Sequence, residues 1–289
     1  MGKEPLFTGV CTALVTPFRN GRVDEAALDG LIRRQLRAGV AALAVCGTTG
    51  ESSTLRDEEW ELALRVALAA ANGKAVVAAG TGTNDLRHTL HRARRAAALG
   101  AQAQLVVTPY YNKTTQQGLI AYYTRLAAYV DLPVILYNVP GRTGLNLLPE
   151  TAARLAELPG IVGIKEASGN LNQMAELLRL CDLPVYCGSD ELNAPALRLG
   201  AKGIISVVSN VIPGEMARLC AASGKDAVAM QRQWTPLIKA LFAETNPAPV
   251  KAALGLMGLC RDDVRLPLVK VRPETLERLR AVLPREALA

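Results

Sequence analysis

The sequence predicts an α/β protein, a (β/α)8 or TIM barrel over residues 1–224 with a helical extension over residues 225–289. Eight short apolar segments recur along the chain, and segments with helical spacing separate them. Strands that alternate with helices form parallel sheets with right-handed crossovers, and eight such units over roughly 200 residues fit a closed barrel. Aromatic residues are only 4% of the chain, so aliphatic side chains must fill a sheet that is buried on both faces.

The predicted strands are the segments rich in Val, Ile, Leu and Ala. In chain order they are 9–16, 41–46, 75–80, 104–108, 134–138, 161–165, 185–188 and 203–206. The segment after the first strand shows the helical pattern, because Leu28, Leu31 and Ile32 fall on one face. Glycines occur where helices should end, at Gly39, Gly73, Gly100 and Gly200.

No further strand is predicted after about residue 213. The remaining residues have helical patterns interrupted by loops at 245–249 and 265–267. This tail is too short for an independent domain, so we expect it to pack on the barrel.

A doubly wound sheet is the competing fold. It would be favoured by a GxGxxG turn after the first strand, and the sequence has none there. The glycine-containing segment 81–84 lacks the spacing of a phosphate-binding loop. We expect an ordinary strand-to-helix turn that ends with Asn84 as the helix cap.

Composition narrows the class of protein and its compartment. The net charge is +7, but the basic residues are scattered, which does not favour nucleic-acid binding. The N-terminus has no apolar signal segment, and no apolar run is long enough to span a bilayer. The six cysteines form no CxxC pair, which favours reduced thiols over disulfides or zinc. We therefore expect a soluble, cytoplasmic protein.

The chain has only two histidines, His88 and His91, three residues apart on a predicted helix. A Ser-His-Asp triad or a His-rich metal site is therefore not expected. Proton transfer would have to use tyrosine, threonine, lysine or carboxylate groups.

Lys165 is the strongest candidate for chemistry because it ends an apolar strand segment, 161–164. Burial pushes a lysine toward its neutral form, which is a nucleophile for carbonyl carbon. This predicts a Schiff base with a keto substrate. The alternative is a strand-end lysine whose amine reaches water.

Other polar residues follow the same ends of the predicted strands, where barrels carry their active sites. These residues include Thr48, Thr49, Tyr137, Arg142 and Ser189. Each has an ordinary structural explanation, such as a helix cap, a core tyrosine or a surface cation. Their shared location at one end of the barrel favours a site.

Five segments together resemble the dihydrodipicolinate synthase family, within the N-acetylneuraminate lyase superfamily of pyruvate-dependent aldolases. They are GTTGES at 47–52, VTPYYN at 107–112, LYNVPGRTG at 136–144, GIKEASGN at 163–170 and NPAPVK at 246–251. The resemblance covers essentially the whole chain. It implies condensation of pyruvate with L-aspartate 4-semialdehyde to 4-hydroxy-tetrahydrodipicolinate, in the diaminopimelate route to lysine, with no organic cofactor and no metal.

The same resemblance implies roles for individual residues. Lys165 would form the Schiff base and Tyr137 would transfer protons. Thr48 would link Tyr137 to Tyr111, which would reach in from a neighbouring subunit of a dimer or of a tetramer built as a dimer of dimers. The residues implied to bind substrate are Thr49, Gly188 and Ile205 for pyruvate and Arg142 for the carboxylate of the second substrate.

The resemblance also implies an allosteric lysine site at the dimer interface. The matching positions are Ser52, Ser53, Asp57, Trp60, Asn84, His88 and Tyr110. His88 replaces the glutamate that grips the lysine ammonium in sensitive members, which predicts weak or absent feedback inhibition.

Two other functions stay open at this point. One is another aldolase or lyase of the superfamily, acting on 2-keto-3-deoxy sugar acids, 4-hydroxy-2-oxoglutarate or sialic acid. The other is a catalytically silent binding protein on the same scaffold.

Overall fold

Eight parallel strands close into a barrel in the computed structural model, which describes residues 2–284 and 288. The barrel strands are β1 Gly9–Ala13, β4 Ala42–Val45, β5 Val76–Gly80, β6 Ala103–Val107, β7 Val134–Asn138, β8 Ile161–Glu166, β9 Val185–Cys187 and β10 Gly203–Ser206. Each pairs with the next barrel strand along the chain, and β10 pairs with β1 to close the ring. The predicted fold class is confirmed.

The first strand ends earlier than predicted, at Ala13 instead of residue 16. The side chain of Asn210 explains the difference. Its Nδ2 donates to the Ala13 carbonyl at 2.8 Å, and its Oδ1 accepts from the Val15 N–H at 3.2 Å. These backbone groups are therefore satisfied by a side chain and not by a neighbouring strand. The other seven strands begin and end within one residue of the prediction.

Helices surround the barrel. In chain order they are α1 Glu25–Arg37, α2 Asp57–Ala71, α3 Leu86–Leu99, α4 Gln116–Tyr129, the single turn α5 Pro140–Thr143, α6 Pro149–Ala156, α7 Leu171–Leu180, α8 Asn193–Leu199 and α9 Pro213–Ala221. Gly100 and Gly200 end α3 and α8 with φ of 92° and 115°, a conformation that favours glycine. The predicted Asn84 cap is wrong by one residue, because Asp85 caps α3 and accepts from the Arg87 N–H at 3.0 Å.

A short antiparallel hairpin, β2 Phe18–Arg19 with β3 Arg22–Val23, was not predicted. Two-residue strands carry too little alternation to be recognised in a sequence. The hairpin matters because the buried Phe18 ring lies under two cations from the C-terminal extension, Lys251 at 4.1 Å and Arg265 at 4.2 Å.

The extension contains α10 Gly224–Leu241, α11 Ala248–Leu256 and α12 Pro273–Val282. The loop predicted at 245–249 is shorter on its C-terminal side, because α11 already begins at Ala248. The expectation of helix over the rest is wrong for residues 242–244, 257–264, 268–272 and 283–284, which contain no helix or strand, and the loop predicted at 265–267 lies between the second and third of these segments. Residues 285–287 and 289 of the predicted extension lie outside the described residues, and the boundary at 224/225 stays a prediction.

The core is built mainly from small aliphatic side chains, as the low aromatic content predicts. Every residue of β4, β7 and β10 is buried. Each fully buried Leu, Ile or Val stabilises the fold by roughly 1.5–3 kcal/mol relative to exposure. Within the described part of the chain, none of the helices combines the length and the apolar character that a membrane crossing requires.

Candidate active site

Lys165 lies inside the barrel near the carboxyl end of β8, and only 5% of it is exposed. It pairs in register with Tyr137 on β7, so both side chains leave the sheet on the same face. The Lys165 Nζ lies 4.2 Å from the centre of the Tyr137 ring. Lys165 is buried and does not extend into bulk water, so the structure does not support the alternative of a strand-end lysine that reaches solvent.

Gly188, at the end of β9, makes room for this lysine. A Cβ at residue 188 would lie 2.7 Å from Lys165 Cε and 2.8 Å from the Cβ of Ala167. Any side chain there would overlap the lysine stem, because real Cβ atoms do not approach so closely. Glycine is therefore required for the lysine to lie along the barrel wall.

A cavity of about 390 Å³ opens at this end of the barrel. Six of the eight residues predicted to act on substrate line it, namely Thr48, Thr49, Tyr137, Arg142, Lys165 and Gly188. Ile205 is buried in β10 but does not line the cavity, and Val207 does. Tyr111 is absent from the lining as well.

The loop that carries Thr48 and Thr49 is held by the C-terminal extension. Glu51 in this loop pairs with Lys251 of α11, with Oε1 and Nζ 2.7 Å apart and both side chains at most 1% exposed. Burial lowers the pKa of Lys251, and the charge of Glu51 opposes that shift. A buried pair of this kind fixes the loop relative to α11.

Asn246, which precedes α11, also contacts the site but received no role from sequence reasoning. Its Nδ2 donates to Thr49 Oγ1 at 3.0 Å, and its main-chain carbonyl accepts from Arg142 Nη2 at 3.2 Å. The only sequence signal is its place at the start of the NPAPVK segment.

Asp190 is a second residue that sequence reasoning gave no role. It is buried in the cavity wall, and its Oδ2 accepts from the N–H groups of Val207 and Val208 at 2.8 and 3.2 Å. This carboxylate ties the ends of β9 and β10 together. Ser-Asp pairs are common in the turns that follow strands, so this pair alone does not predict a buried carboxylate that accepts from backbone N–H groups.

Tyr111 is not brought to the lysine within one chain. It is 90% exposed and adopts a left-handed backbone with φ of 67°. Tyrosine is rarely found in this conformation, so the turn holds the ring outward at some cost. No hydrogen bond joins Thr48 to Tyr137 or Tyr111 within residues 2–284, and the predicted relay stays a prediction.

A second cavity of about 280 Å³ adjoins the first and shares Thr48, Tyr137 and Arg142 with it. Three of the seven candidate lysine-site residues line this cavity, namely Ser52, Ser53 and Tyr110, whereas Asp57, Trp60, Asn84 and His88 do not. The allosteric role of all seven stays a prediction.

His88 contacts Asp57, with Nε2 and Oδ1 3.1 Å apart. Burial alone would raise the pKa of Asp57, but the hydrogen bond to His88 and the charge of Arg92 outweigh it and lower the pKa. Arg92, which sequence reasoning did not select, is buried and lines the second cavity. Residue 88, where the resemblance implies a glutamate in lysine-sensitive members, is therefore a histidine that is already paired with the Asp57 carboxylate.

Two thiols lie near Lys165, and neither competes with its amine as the nucleophile of the site. Burial raises the pKa of Cys11 to about 12, with the positive charge of Lys165 opposing the shift. Burial likewise raises the pKa of Cys187 to about 12. Both therefore stay protonated at neutral pH, and a thiol is a poor nucleophile without its charge. Among residues 2–284 and 288, no three His, Cys, Asp or Glu side chains cluster as metal ligands would.

The fold and the cavity together define a barrel protein with a buried amine at the carboxyl ends of its strands, the arrangement of Schiff-base-forming enzymes. Residues 6–286 match the sequence model described as the dihydrodipicolinate synthetase family. The chain therefore belongs to that family.

Individual relatives agree over nearly the full length. The chain is 48% identical over 284 residues to the 4-hydroxy-tetrahydrodipicolinate synthase of Syntrophus aciditrophicus, an alignment that covers 96% of this chain and 98% of the other. It matches the crystal structure of dihydrodipicolinate synthase from Thermotoga maritima with a TM-score of 0.95 and 48% identity, over 98% and 99% of the two chains. It matches the lysine-bound enzyme of Cyanidioschyzon merolae with a TM-score of 0.93 and 40% identity, over 96% and 98%.

Proposed function

We propose that this chain condenses pyruvate with L-aspartate 4-semialdehyde to 4-hydroxy-tetrahydrodipicolinate. The observation that carries the proposal is the burial of Lys165 in one cavity with Thr49 and Arg142, a nucleophile beside two groups suited to carboxylates. The relatives named as this synthase, at 48% identity over nearly the whole chain, support this choice over other aldehyde acceptors.

In the first half of the reaction, the Lys165 amine adds to the keto carbon of pyruvate and water leaves, giving an imine. Thr49 holds the pyruvate carboxylate during this step. Loss of a methyl proton then converts the imine to an enamine. Tyr137, whose ring lies beside the Lys165 Nζ, moves these protons, since a phenol near a cation can both donate and accept.

In the second half, the enamine carbon attacks the aldehyde, and the aldehyde oxygen takes up a proton to become a hydroxyl. Arg142 holds the carboxylate of the second substrate, because its parallel donors fix the orientation of that group. The amine of the second substrate then displaces Lys165 from the imine carbon, which closes the ring and frees the lysine. The protein's own amine serves as the electron sink throughout.

We further propose that the active form is a homo-oligomer, either a dimer or a tetramer of two dimers. An outward-facing Tyr111, 90% exposed and held in a left-handed turn, supports a contact with a second copy. Its hydroxyl would complete the relay from Thr48 and Tyr137 in the neighbouring site. The six free cysteines support a cytoplasmic location.

Borohydride trapping tests the Schiff base. Reduction in the presence of pyruvate should add mass to Lys165 and leave Lys251 unlabelled, although both lysines are buried. The Lys165→Ala variant is the control and should take no label. Absence of label on saturated wild-type protein would favour the silent binding protein.

Steady-state rates test the second substrate. Turnover with pyruvate and L-aspartate 4-semialdehyde should exceed turnover with the aldehydes of the sugar-acid, 4-hydroxy-2-oxoglutarate and sialic acid reactions. Negligible turnover with the semialdehyde would reject the proposal in favour of another aldolase of the superfamily.

A further inference from the structure

Asn246 lies where the two carboxylate-binding groups of the site meet, and only 6% of it is exposed. We propose that it is a positioning residue that fixes the direction of the Thr49 hydroxyl through its side chain and supports Arg142 through its main chain. The inference rests on the proposed function, because it assigns the two supported groups to the two substrates.

The side-chain contact decides what Thr49 offers to a ligand. A threonine hydroxyl has one hydrogen to donate and lone pairs that accept. Asn246 Nδ2 donates to Thr49 Oγ1 at 3.0 Å and so occupies a lone pair. No acceptor for the Thr49 hydroxyl hydrogen exists among residues 2–284, so this hydrogen is free for a carboxylate in the cavity.

The opposite orientation of the amide would remove that donor. Thr49 would then give its hydrogen to Asn246 Oδ1, and its hydroxyl would present only lone pairs to an anion. That orientation would also leave the two-donor amide nitrogen buried without a partner. Each orientation keeps one hydrogen bond to Thr49: the orientation in the structure leaves Oδ1 and one N–H without a partner, and the opposite one would leave both N–H groups without a partner.

The unpaired acceptor is itself a sign of function. Asn246 Oδ1 is buried and has no hydrogen-bond partner in the described residues. An apolar side chain would fill the same volume without that cost. A costly polar group is expected at a site where a specific donor is needed, here the donor to Thr49.

The contact with Arg142 uses a different part of the residue. Arg142 Nη2 donates to the main-chain carbonyl of Asn246 at 3.2 Å. A change of side chain at residue 246 leaves this acceptor in place. The two carboxylate-binding groups should therefore respond differently to the same substitution.

The test measures the pyruvate concentration that gives half-maximal borohydride trapping on Lys165. We expect Asn246→Ala to raise it about fivefold to tenfold, the effect of one lost hydrogen bond. Asn246→Asp should raise it by about 100-fold, because a carboxylate takes the Thr49 hydrogen and repels the pyruvate anion. The KM for L-aspartate 4-semialdehyde should change less than about twofold in Asn246→Ala, because the main-chain acceptor stays in place.

Thr245→Ala is the matched control, because Thr245 is exposed in the same turn. Thr245→Ala should leave the trapping concentration of pyruvate and the KM for L-aspartate 4-semialdehyde unchanged. If Asn246→Ala unfolds, Asn246→Ser also removes the Nδ2 donor, because its hydroxyl is one bond too short to reach Thr49, and should give the same rise in the trapping concentration.

A double-mutant cycle separates positioning from general loosening. In a Thr49→Val background, Asn246→Ala should add less than about twofold to the trapping concentration. If the effects of Thr49→Val and Asn246→Ala on the trapping concentration multiply in the double variant, the inference is overturned. It is also overturned if Asn246→Ala raises the trapping concentration of pyruvate and the KM for the semialdehyde by the same factor. Because trapping needs only pyruvate, a wild type that traps pyruvate but does not use the semialdehyde would reject the proposed function and still test Asn246.

Discussion

At the scale of single residues, the position of the Lys165 amine depends on a missing side chain. Gly188 lies against the lysine stem, and a methyl group there would come within 2.7 Å of Lys165 Cε. The lysine therefore keeps its place beside Tyr137 only while residue 188 lacks a Cβ.

Gly188→Ala should lower the rate of pyruvate-dependent labelling of Lys165 by about 100-fold, the scale of a 1 Å misplacement of a reacting group. It should also destabilise the fold by about 1–3 kcal/mol, as overpacking does. Pyruvate-dependent borohydride labelling and urea unfolding measure the two effects. Gly214→Ala, in α9 with open space at its Cβ, is the control and should leave labelling unchanged. Normal labelling of Gly188→Ala would contradict the packing argument.

His88 carries a prediction about regulation. Its ring lies 3.1 Å from Asp57 and does not line the cavity that Ser53 and Tyr110 share. Because a histidine offers no full negative charge to an ammonium group, we expect no half-inhibition at submillimolar L-lysine. Inhibition curves of the wild type and of His88→Glu measure this, and the variant should be about tenfold more sensitive. Submillimolar half-inhibition of the wild type would contradict the role given to His88.

The residues found from the sequence share one property, and those missed share another. Lys165 ends an apolar strand segment and Thr49 follows another within three residues, where a polar residue is unexpected and therefore visible. Asn246 and Arg92 reach the two cavities from loops or helices whose polar residues look like ordinary surface. Only the tertiary fold shows that they are buried.

At the scale of elements, the C-terminal extension acts on the loop that follows β4. The Glu51–Lys251 pair is almost fully buried, at 1% and 0% exposure. Lys251→Met should lower the free energy of unfolding by about 3–5 kcal/mol, because it removes the cation that faces the buried Glu51 carboxylate. Urea unfolding measures this.

The Glu51→Gln, Lys251→Met double variant should lose less than the sum of its single variants, since no lone charge stays buried. Arg33→Met, which breaks an exposed pair with Asp29, is the control and should cost less than about 1 kcal/mol. Additive losses in the double variant would show that the two charges do not act as a pair.

The segment 257–272 supplies a pH-dependent contact. Arg265 donates to both Glu59 oxygens, at 2.6 and 2.8 Å, and holds the pKa of that carboxyl at about 2, below its usual 4.5. Because folding lowers this pKa, the stability it contributes is complete above pH 4.5 and is lost as the pH falls toward 2.

The melting temperature of the wild type should therefore fall more steeply between about pH 5 and about pH 2.5 than that of Glu59→Gln, which cannot titrate at this position. Thermal unfolding across this pH range measures the difference. Parallel curves for the two proteins would mean that Arg265 does not stabilise the charged form of Glu59.

At the scale of the whole molecule, the barrel was predictable because its signal repeats. Seven strands lie within one residue of prediction, since each is an apolar run bounded by turns. Apart from the loop at 265–267, residues 257–272 were not predictable, because their structure comes from side-chain contacts such as those of Arg265 with Glu59 and Gly21. Such contacts across the chain leave no periodic pattern in the sequence.

A mixing experiment tests the proposed sharing of Tyr111 between copies. Tyr111→Phe and Lys165→Ala should each be nearly inactive alone. After dissociation and random reassembly, half of the dimers are mixed and each holds one intact site, so we expect about one quarter of wild-type activity. Activity no greater than that of the two variants apart would contradict the shared site.

The contacts of Asn246, Lys251 and Arg265 with residues 49–59 have a consequence for biosynthesis. During translation, Lys165 and its neighbouring strands are synthesised well before Asn246, Lys251 and Arg265, which hold residues 49–59 after β4. A nascent chain that has closed its barrel on the ribosome would still lack these contacts. We expect competence for pyruvate capture to be established only after residues 246–265 have been synthesised, so that a chain released before them would not label Lys165.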